Sequence, residues 1–258
     1  MKQMKYLPLF TLLSIVCSPL FSQREKVASY FGVQYRTIIP SNFGGPKEFS
    51  MTKKEYTASI TQTTGYSFGA TVRVGITPLI AFETGINFTQ RNFNLGMSVA
   101  DTTTGAPIIT AKDHWSLINY EIPLNALIYI QLSQKFYMNS SMGVVATFSP
   151  TDIQKRTETG GINSFFNYAS VYKTGLNLNA NVGFEYRTKN RGFYYIGGSI
   201  RVPLAPIFVW GSWHEIQKQT ESTFLRGTMR GSYLSVDLKY FFPNIKQKGT
   251  QPIKPPIE

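Results

Sequence analysis

The sequence predicts an all-β fold, an eight-stranded antiparallel up-and-down transmembrane β-barrel with short periplasmic turns and long extracellular loops. Three observations predict this fold: strands with one apolar and one polar face, connections whose lengths alternate, and an abundance of aromatic residues. The chain of 258 residues contains 19 Phe and 15 Tyr. Such numbers suit a barrel with rings of aromatic side chains at both membrane interfaces.

The alternation is clearest in residues 65–88, GYSFGATVRVGITPLIAFETGINF. Successive residues of a strand point to opposite faces. In the first half, one face would carry Tyr66, Phe68, Ala70, Val72, Val74 and Ile76, and the other Ser67, Gly69, Thr71, Arg73 and Gly75. A soluble β-sandwich could also have two such faces, but Arg73 opposite Glu83 on a glycine-rich surface has no obvious purpose in water. A lipid-facing exterior and a packed polar lumen explain both faces.

Six further strands follow the same pattern. They are predicted at about residues 29–38, 115–130, 136–148, 193–204 and 232–242, with one more that ends at Arg187. The seven connections between the eight strands are then alternately long and short, beginning and ending with a long one. Outer-membrane barrels have short periplasmic turns, longer outer loops and an even number of strands. This order places both termini in the periplasm.

The long connections are polar and are expected to be loops. They comprise residues 40–64, 92–112 and 149–168 and a last segment that carries Trp210, Trp213 and His214. Two inward-facing prolines, Pro123 and Pro203, lie inside predicted strands, where a proline removes a hydrogen bond of the ladder. We expect a β-bulge at each of them.

Residues 1–22 are predicted to be a secretion signal, because a basic end with Lys2 and Lys5 precedes an apolar run and a polar segment that leads to Ser22. Residues 23–242 would form the barrel, and residues 243–258 a flexible periplasmic tail rich in proline and lysine. No later stretch has about twenty uninterrupted apolar residues, so we expect no helical membrane anchor.

The single cysteine, Cys17, lies within the predicted signal. A lipoprotein signal would make it the acylated first residue, but Val16 before it is bulkier than the small residue that such processing favours. The processed chain would then contain no cysteine, which excludes disulfides and thiolate metal sites.

The formal net charge of +12 would suit nucleic acid or an anionic membrane surface, and export favours the membrane surface. No nucleic-acid partner is expected. Several loop cations would lie near the lipopolysaccharide phosphates at the outer rim, where cation–phosphate contacts are favourable. They are Lys47, Lys53, Lys54, Lys155, Arg156, Lys218, Arg226 and Arg230, although a solvated loop explains most of them individually.

The inward faces of the predicted strands carry a set of charged residues. They are Arg36, Arg73, Glu83, Glu121, Glu185, Arg187, Arg201, Asp237 and Lys239, with Arg91 in addition. An eight-stranded barrel is just wide enough for side chains to fill it, and unpaired charges there would be costly. We therefore predict a charge-paired network that fills the lumen. The alternative is a gated pore with an anion preference, which the excess of positive charge would supply.

The two histidines are the candidates for catalysis at the outer rim. A nucleophilic site needs a base beside a Ser or Thr and a third group that orients the base. Asp113 and His114 are adjacent and would point to opposite faces of a strand, while His114 and Ser116 share one. The tryptophans beside both histidines suit an interfacial belt, and no phosphate loop, nucleotide fingerprint or calcium loop is present. We expect neither an enzyme, nor a cofactor, nor a metal site.

The stretch Asn119-Tyr120-Glu121-Ile122-Pro123-Leu124 resembles the "Tyr-x-Glu-Ile-Pro-Leu" strand of outer-membrane β-barrel proteins of the Bacteroidota, the PorT-like group. The Ser22-Gln23 junction and the aromatic last strand are similar too, whereas the tail after that strand departs from an aromatic carboxyl terminus. The resemblance implies a membrane protein without a cofactor, with Glu121 and Pro123 as inward structural features. The group includes small barrels of unknown role and one component needed for type IX secretion.

Taken together, these features predict a monomeric, non-enzymatic protein of the cell outer membrane. It would contact outer-membrane lipid and lipopolysaccharide and act in envelope structure or through its extracellular loops. A secretion-machinery or partner-binding subunit, which recruits an envelope protein through loops or tail, is the first alternative. A small-solute channel is the second, and a rim hydrolase or acyltransferase the third.

Overall fold

The computed structural model describes residues 29–77, 79–101, 103–159, 163–188, 191–216 and 223–243. The predicted signal and nearly all of the predicted tail lie outside these residues. The elements of the described part are thirteen β-strands. They are β1 (Ser29–Pro40), β2 (Glu48–Lys53), β3 (Tyr56–Gly75), β4 (Ile80–Ala100), β5 (Pro107–Gln131), β6 (Phe136–Phe148), β7 (Ile153–Thr159), β8 (Asn163–Val171), β9 (Thr174–Arg187), β10 (Phe193–Pro203), β11 (Phe208–Ile216), β12 (Thr223–Met229) and β13 (Tyr233–Phe241). The described residues include no helix long and apolar enough to cross a membrane.

Eight of these strands close into a barrel. They pair in the order β1-β13-β10-β9-β6-β5-β4-β3, and β1 also pairs with β3. The pairings around this ring are antiparallel. The predicted all-β fold with eight barrel strands is therefore confirmed. Ser29 pairs with Val74 beside the short β3–β4 turn, so the barrel wall begins at the end that carries the short turns.

The lower part of the barrel, next to the short turns, is apolar outside and polar inside. In β1, Phe31, Val33 and Tyr35 are exposed, whereas Gln34 and Arg36, on the opposite face of the strand, are buried. Aromatic side chains lie against each other near both limits of this apolar surface. One group is Tyr66, Phe68, Phe88 and Tyr120, and the other includes Phe31, Phe136, Tyr186, Tyr194, Tyr240 and Phe242. Two such girdles mark the interfaces of a membrane barrel.

Above the first girdle the two faces exchange character within continuous strands. In β4 the buried series changes from Asn87, Thr89 and Arg91 to Phe93, Leu95, Met97 and Val99. At the same level of the strand, the outward-facing residues change from the apolar Ile86 and Phe88 to the polar Asn92, Asn94 and Ser98. Strand β5 changes in the same way between Asn119 and Leu117. Polar side chains on the outside suit water, so the strands leave the lipid at this level.

Strand β3 makes the same transition with a β-bulge. The register of its pairing with β4 shifts between Thr63 and Tyr66. Odd-numbered residues such as Ser67 face inward below the bulge, and even-numbered residues such as Ile60 face inward above it. A Cβ atom on Gly65 would lie 2.3 Å from the Gln90 carbonyl oxygen, so the bulge requires glycine here.

The outer ends of β2–β5 and the strands β7, β8, β11 and β12 form a second layered unit, which we call the cap. The latter four pair as a sheet in the order β12-β11-β8-β7. The sheet packs on the ends of β2–β5 around an apolar core. The buried members of that core are Tyr56, Ala58, Ile60, Phe93, Leu95, Met97, Val99, Ala111, Trp115, Leu117, Phe165, Ala169, Val171, Phe208, Trp210, Leu225 and Met229.

The expectation of long loops is wrong for residues 40–64, 92–112 and 149–168 and for the segment with Trp210, Trp213 and His214, because most of these residues belong to strands of the cap. Their buried residues are largely apolar, such as Ile60 and Leu95, and polar residues such as Asn94 lie on the outer face, which reverses the pattern of the lower barrel. The assignment of the tryptophans beside the histidines to an interfacial belt is also wrong for Trp115, which is buried in the cap core.

The two predicted proline bulges are wrong as well. Pro123 pairs with Val145 without a shift in register. On the β4 side the ladder stops after Thr84–Leu124 and resumes in the same register at Asn87–Glu121. The wall therefore tolerates the missing N–H group of Pro123 by a local gap in the ladder rather than by an extra residue. Pro203 is the last residue of β10, where the ladder ends anyway.

Replacement of Phe93 by Ala is expected to destabilise the cap and leave the barrel closed. Phe93 is fully buried against Phe208, with ring centroids 5.3 Å apart, and such truncations cost about 3–5 kcal/mol. The three tryptophans of the chain all lie in the cap, so their fluorescence in a urea titration reports cap unfolding. We expect a lower midpoint for Phe93→Ala, with an unchanged mobility shift between unheated and heated samples in gels.

The exposed Phe43 offers the matched control, since Phe43→Ala removes a ring of the same size without opening a cavity. An unchanged midpoint in Phe93→Ala would show that the cap does not depend on this core.

Candidate functional site

The lower lumen holds a cluster of three cations and two carboxylates. Arg73 donates to Glu83 through Nε at 3.0 Å and through Nη2 at 2.6 Å, and its Nη1 donates to Glu185. Lys239 donates to the other oxygen of Glu83 at 2.5 Å. Arg187 donates to Glu185 at 3.0 Å from the end of the lumen, where its side chain is one-third exposed. Arg73 and Glu83 are direct cross-strand neighbours, which is why the sequence could pair them.

Aromatic rings and small residues complete the lower lumen. The Arg73 guanidinium lies 4.2 Å from the centroid of the Phe241 ring, and that of Arg187 lies 4.0 Å from Tyr137. Both distances are within the range of cation–π attraction. Below them Ala81, Leu127 and Tyr129 form a small apolar cluster. Charged, aromatic and apolar groups together fill this part of the barrel.

The upper lumen holds a second cluster around Glu121. Arg201 donates to Glu121 and, at 2.9 Å, to the hydroxyl of Tyr233, which in turn donates to Glu121 at 3.3 Å. Arg36 lies between two carboxylates, 4.0 Å from Glu121 and 3.6 Å from Asp237. The remaining lone pairs of Asp237 accept bonds from the side chains of Asn181, Ser199 and Ser235.

The structure thus brings all nine predicted lumen residues into two clusters, and eight of them are buried. Sequence reasoning missed their neutral partners. These are inward residues such as Asn139, which donates to Glu185 at 2.5 Å, and Asn181 and Tyr233 described above. Asparagines at alternate positions of β9 were a usable signal, because an inward amide in a narrow barrel needs a polar partner.

The two histidines lie apart from the lumen, in the cap. His114 is exposed on the outer face of β5. The Asp113 carboxylate accepts bonds from Lys155 at 2.9 Å and from Thr157 at 2.5 Å, so these side chains, rather than an imidazole, engage it. The described part of the chain contains no group of three or more His, Cys, Asp or Glu residues that could hold a metal ion.

His214 is buried between aromatic rings of the cap. Its ring stacks on Phe165 at 4.8 Å and on Tyr56 at 5.8 Å. Burial lowers the pKa of His214, against an opposing effect of Glu55. Burial likewise raises the pKa of Tyr56 to about 12, although its hydroxyl shares a 2.5 Å hydrogen bond with that of Ser212. Both groups are therefore neutral near pH 7.

The outer face of the cap sheet carries a row of side chains that crosses all four strands. Arg156, Phe166, Trp213 and Phe224 are successive register partners on β7, β8, β11 and β12. The Phe166 and Trp213 rings stack at 5.2 Å and 6°, and the Arg156 guanidinium lies 5.0 Å from the Phe166 centroid. We call these four residues the aromatic row. A planar, half-exposed surface of this kind can accept another flat molecule.

A groove lies beside the aromatic row. Its volume is about 440 Å³, and its lining includes Tyr168, Gly211, Phe224 and Arg226. Tyr168 and Gly211 are register partners, as are Gly211 and Arg226. Because Gly211 has no side chain, the Phe224 ring lies over its backbone, 3.1 Å from the position that a Cβ atom would occupy.

The loop cations predicted at the outer rim differ in their surroundings: some are exposed, and others pair with carboxylates of the cap. Lys47, Lys53, Lys54, Arg226 and Arg230 are exposed on the cap or at its base. Lys155 pairs with Asp113, and Arg156 pairs with Glu158 at 2.9 Å on the surface. Lys218 lies outside the described residues.

Replacement of Glu83 by Gln is expected to destabilise the barrel. The change leaves Arg73 and Lys239 buried with one carboxylate fewer, and breaking a buried ion pair in this way costs about 3–5 kcal/mol. The temperature at which the unheated gel band converts to the heated form should fall. Glu158→Gln, in the exposed pair with Arg156, is the matched control and should stay within about 0.5 kcal/mol of the wild type. Equal behaviour of both variants would contradict a stabilising role of the lower cluster.

The cap is expected to lose stability as the pH falls from 7.5 to 5.5. A histidine in an unfolded chain titrates near pH 6.5, and the pKa of His214 is lower in the folded cap. The unfolded form therefore binds the proton first, and the free energy of unfolding decreases below about pH 6.5. Urea titrations followed by tryptophan fluorescence measure the effect. His214→Phe should flatten this dependence and His114→Gln should not; a dependence that persists in His214→Phe would refute the assignment.

No protein-family model matches this chain, and no curated protein matches it. Among solved structures, it is similar to the outer membrane protein OprG from Pseudomonas aeruginosa, with 11% identity over 83% of this chain and 95% of that chain and a TM-score of 0.48. It is also similar to the outer membrane protease OmpT from Escherichia coli, with 10% identity over 86% and 100% and a TM-score of 0.32. A third similar structure is the translocator domain of the autotransporter NalP from Neisseria meningitidis, with 11% identity over 93% of this chain and 96% of that chain and a TM-score of 0.34.

Proposed function

We propose that this protein is a non-enzymatic outer-membrane barrel that holds the cap outside the cell, where the aromatic row binds an anionic glycan such as the saccharide part of lipopolysaccharide. The aromatic row is the observation that carries the proposal. Both described ends of the barrel wall lie at the short-turn end. With that end in the periplasm, the cap projects into the saccharide layer.

The chemistry of the row suits sugar rings that carry phosphate or carboxylate groups. One face of a pyranose ring presents C–H groups, which pack on aromatic faces such as those of Phe166 and Trp213. Adjacent strands are about 4.8 Å apart, so a row across four strands is long enough for several linked sugar units. Arg156 at one end and Arg226 in the adjoining groove supply the donors that phosphate oxygens prefer.

The filled lumen supports an anchoring role for the barrel. Buried ion pairs and the apolar cluster of Ala81, Leu127 and Tyr129 occupy the interior of the described barrel, and a water path would have to displace them. This arrangement favours the filled barrel over the small-solute channel. The alternative of a secretion-machinery subunit rests on the PorT-like strand, whose Glu121 and Pro123 are positions of the barrel wall and lumen rather than of an exposed surface.

Replacement of Trp213 by Ala is expected to weaken binding of the full-length protein to purified lipopolysaccharide at least tenfold. The change removes the central ring of the row, which is stacked on Phe166 and lies 6.2 Å from Phe224. Surface plasmon resonance with the protein immobilised in detergent measures the affinity. The same lipopolysaccharide after removal of its saccharide by mild acid should bind equally weakly to the wild type and to Trp213→Ala.

Phe43→Ala, which removes an exposed ring outside the cap sheet, should bind like the wild type. Equal binding by the wild type and Trp213→Ala would contradict the saccharide site. A steady single-channel current from the wild type in a planar bilayer would contradict the filled lumen.

A further inference from the structure

Arg91 differs from the other buried cations of the barrel. Arg36, Arg73, Arg201 and Lys239 each lie within 4.0 Å of a carboxylate. Arg91 is equally buried, but the described residues place no carboxylate that close to it. Its Nη2 donates to the side-chain oxygen of Gln62 at 3.2 Å and to the Gly231 carbonyl.

The hydrogen bonding of Arg91 is also incomplete. Its Nε has no acceptor among the described residues, and the same holds for the Nε of Arg201. A guanidinium group cannot lose its proton in a protein, and a buried charge whose hydrogen-bond acceptors are all neutral oxygens is costly. A bound anion would compensate this charge.

A cavity adjoins both groups. Its volume is about 90 Å³, whereas one water molecule needs roughly 10–15 Å³ of such space. The inner wall contains Arg91 and Arg201 together with the polar side chains of Asn119, Ser149 and Asn177. Glu121 also lines it, but its carboxylate is bound to Arg201 and Tyr233. The inner wall therefore carries a net positive charge and two free donors, the Nε groups of Arg91 and Arg201.

The outer wall of the same cavity is apolar and reaches the surface of the barrel. Leu176, Pro206 and Ile207 line it, and Tyr172 and Leu176 are about half exposed, whereas Pro203 lines the cavity from a buried position. Two backbone hydrogen bonds border this outer wall. The Leu204 N–H group donates to the Leu176 carbonyl on one side, and the Tyr172 N–H group donates to the Ile207 carbonyl on the other. Pro206, which lies between them, has no N–H group to add a further bond. The mouth lies where β9 begins and β10 ends.

We propose that this cavity is a binding site for a small organic monocarboxylate. The carboxylate would accept hydrogen bonds from Arg91 and Arg201, and the aliphatic part would lie against Leu176, Pro206 and Ile207 at the mouth. A carboxylate matches the planar donor geometry of a guanidinium group. A doubly charged phosphate would match the inner wall but would leave the apolar outer wall without a partner.

Isothermal titration calorimetry of the full-length protein in detergent with sodium butyrate tests the proposal. We expect saturable binding at one site, tighter for butyrate than for acetate. Arg91→Gln should weaken butyrate binding at least tenfold, and Arg91→Lys should keep part of it. Lys135→Gln, at an exposed position in the β5–β6 turn, loses the same charge and should bind like the wild type.

A second variant leaves both arginines in place. Ala205→Trp adds a large side chain at an exposed position of the mouth and should also abolish butyrate binding, while the gel mobility shift shows that the barrel is closed.

Octanoate in place of butyrate distinguishes the source of the ligand. Tighter binding of octanoate indicates a lipid-derived fatty acid, and weaker binding indicates a free short-chain acid. Undiminished butyrate binding by Arg91→Gln, or equally tight binding of inorganic phosphate, would overturn the proposal.

Discussion

The structure depends on one constraint: β3, β4 and β5, which extend from the barrel into the cap, must present their apolar side to lipid below and to a protein core above. Backbone N–H and C=O groups in a bilayer must be paired within the protein, which the closed ring of eight strands achieves. Above the membrane only β3, β4 and β5 of the ring continue in the same sheet, and water replaces lipid outside. The side chains therefore exchange faces, at Arg91 in β4 and at the Gly65 bulge in β3.

Because of this exchange, β3, β4 and β5 line two different interiors along their length, a polar barrel lumen and an apolar cap core. The lumen below is polar and must be stabilised by pairing, as in the contacts of Glu83 with Arg73 and Lys239. The cap above is stabilised by burial of apolar side chains such as Phe93 and Trp210. Arg91 lies at the boundary, 6.0 Å from the Phe93 ring on one side and beside the Glu121 cluster on the other. A cation in this position has fewer acidic neighbours than one deeper in the lumen.

The strands that could be predicted from the sequence are those of the lower barrel, where apolar side chains face outward and polar side chains face inward, the reverse of a soluble protein. The strands of the barrel and the Arg73–Glu83 pair follow from period-two alternation and from direct cross-strand registration. The cap was missed for a physical reason: residues such as Thr57, Ser59 and Thr61 alternate with apolar residues that face inward, so the segment looks merely polar beside the lower barrel. The phase change at Gly65 also breaks the pattern, and the partners of β7, β8, β11 and β12 are set by tertiary contacts. The prediction of a β-bulge at Pro123 was wrong because the hydrogen-bond ladder between two strands can open locally without an extra residue in either strand.

The continuity of β3, β4 and β5 through both interiors has a consequence for binding. Because these strands run unbroken from the membrane into the cap, the cap core holds the aromatic row at a fixed height and orientation above the lipid. A glycan that is itself anchored in the outer leaflet is confined to the same layer, which raises its effective concentration at the row without any additional contact. Weak stacking on Phe166 and Trp213 is then sufficient for occupancy, whereas the same contacts would bind a free saccharide in solution poorly. A rigid connection between barrel and cap thus favours a membrane-held ligand over a soluble one.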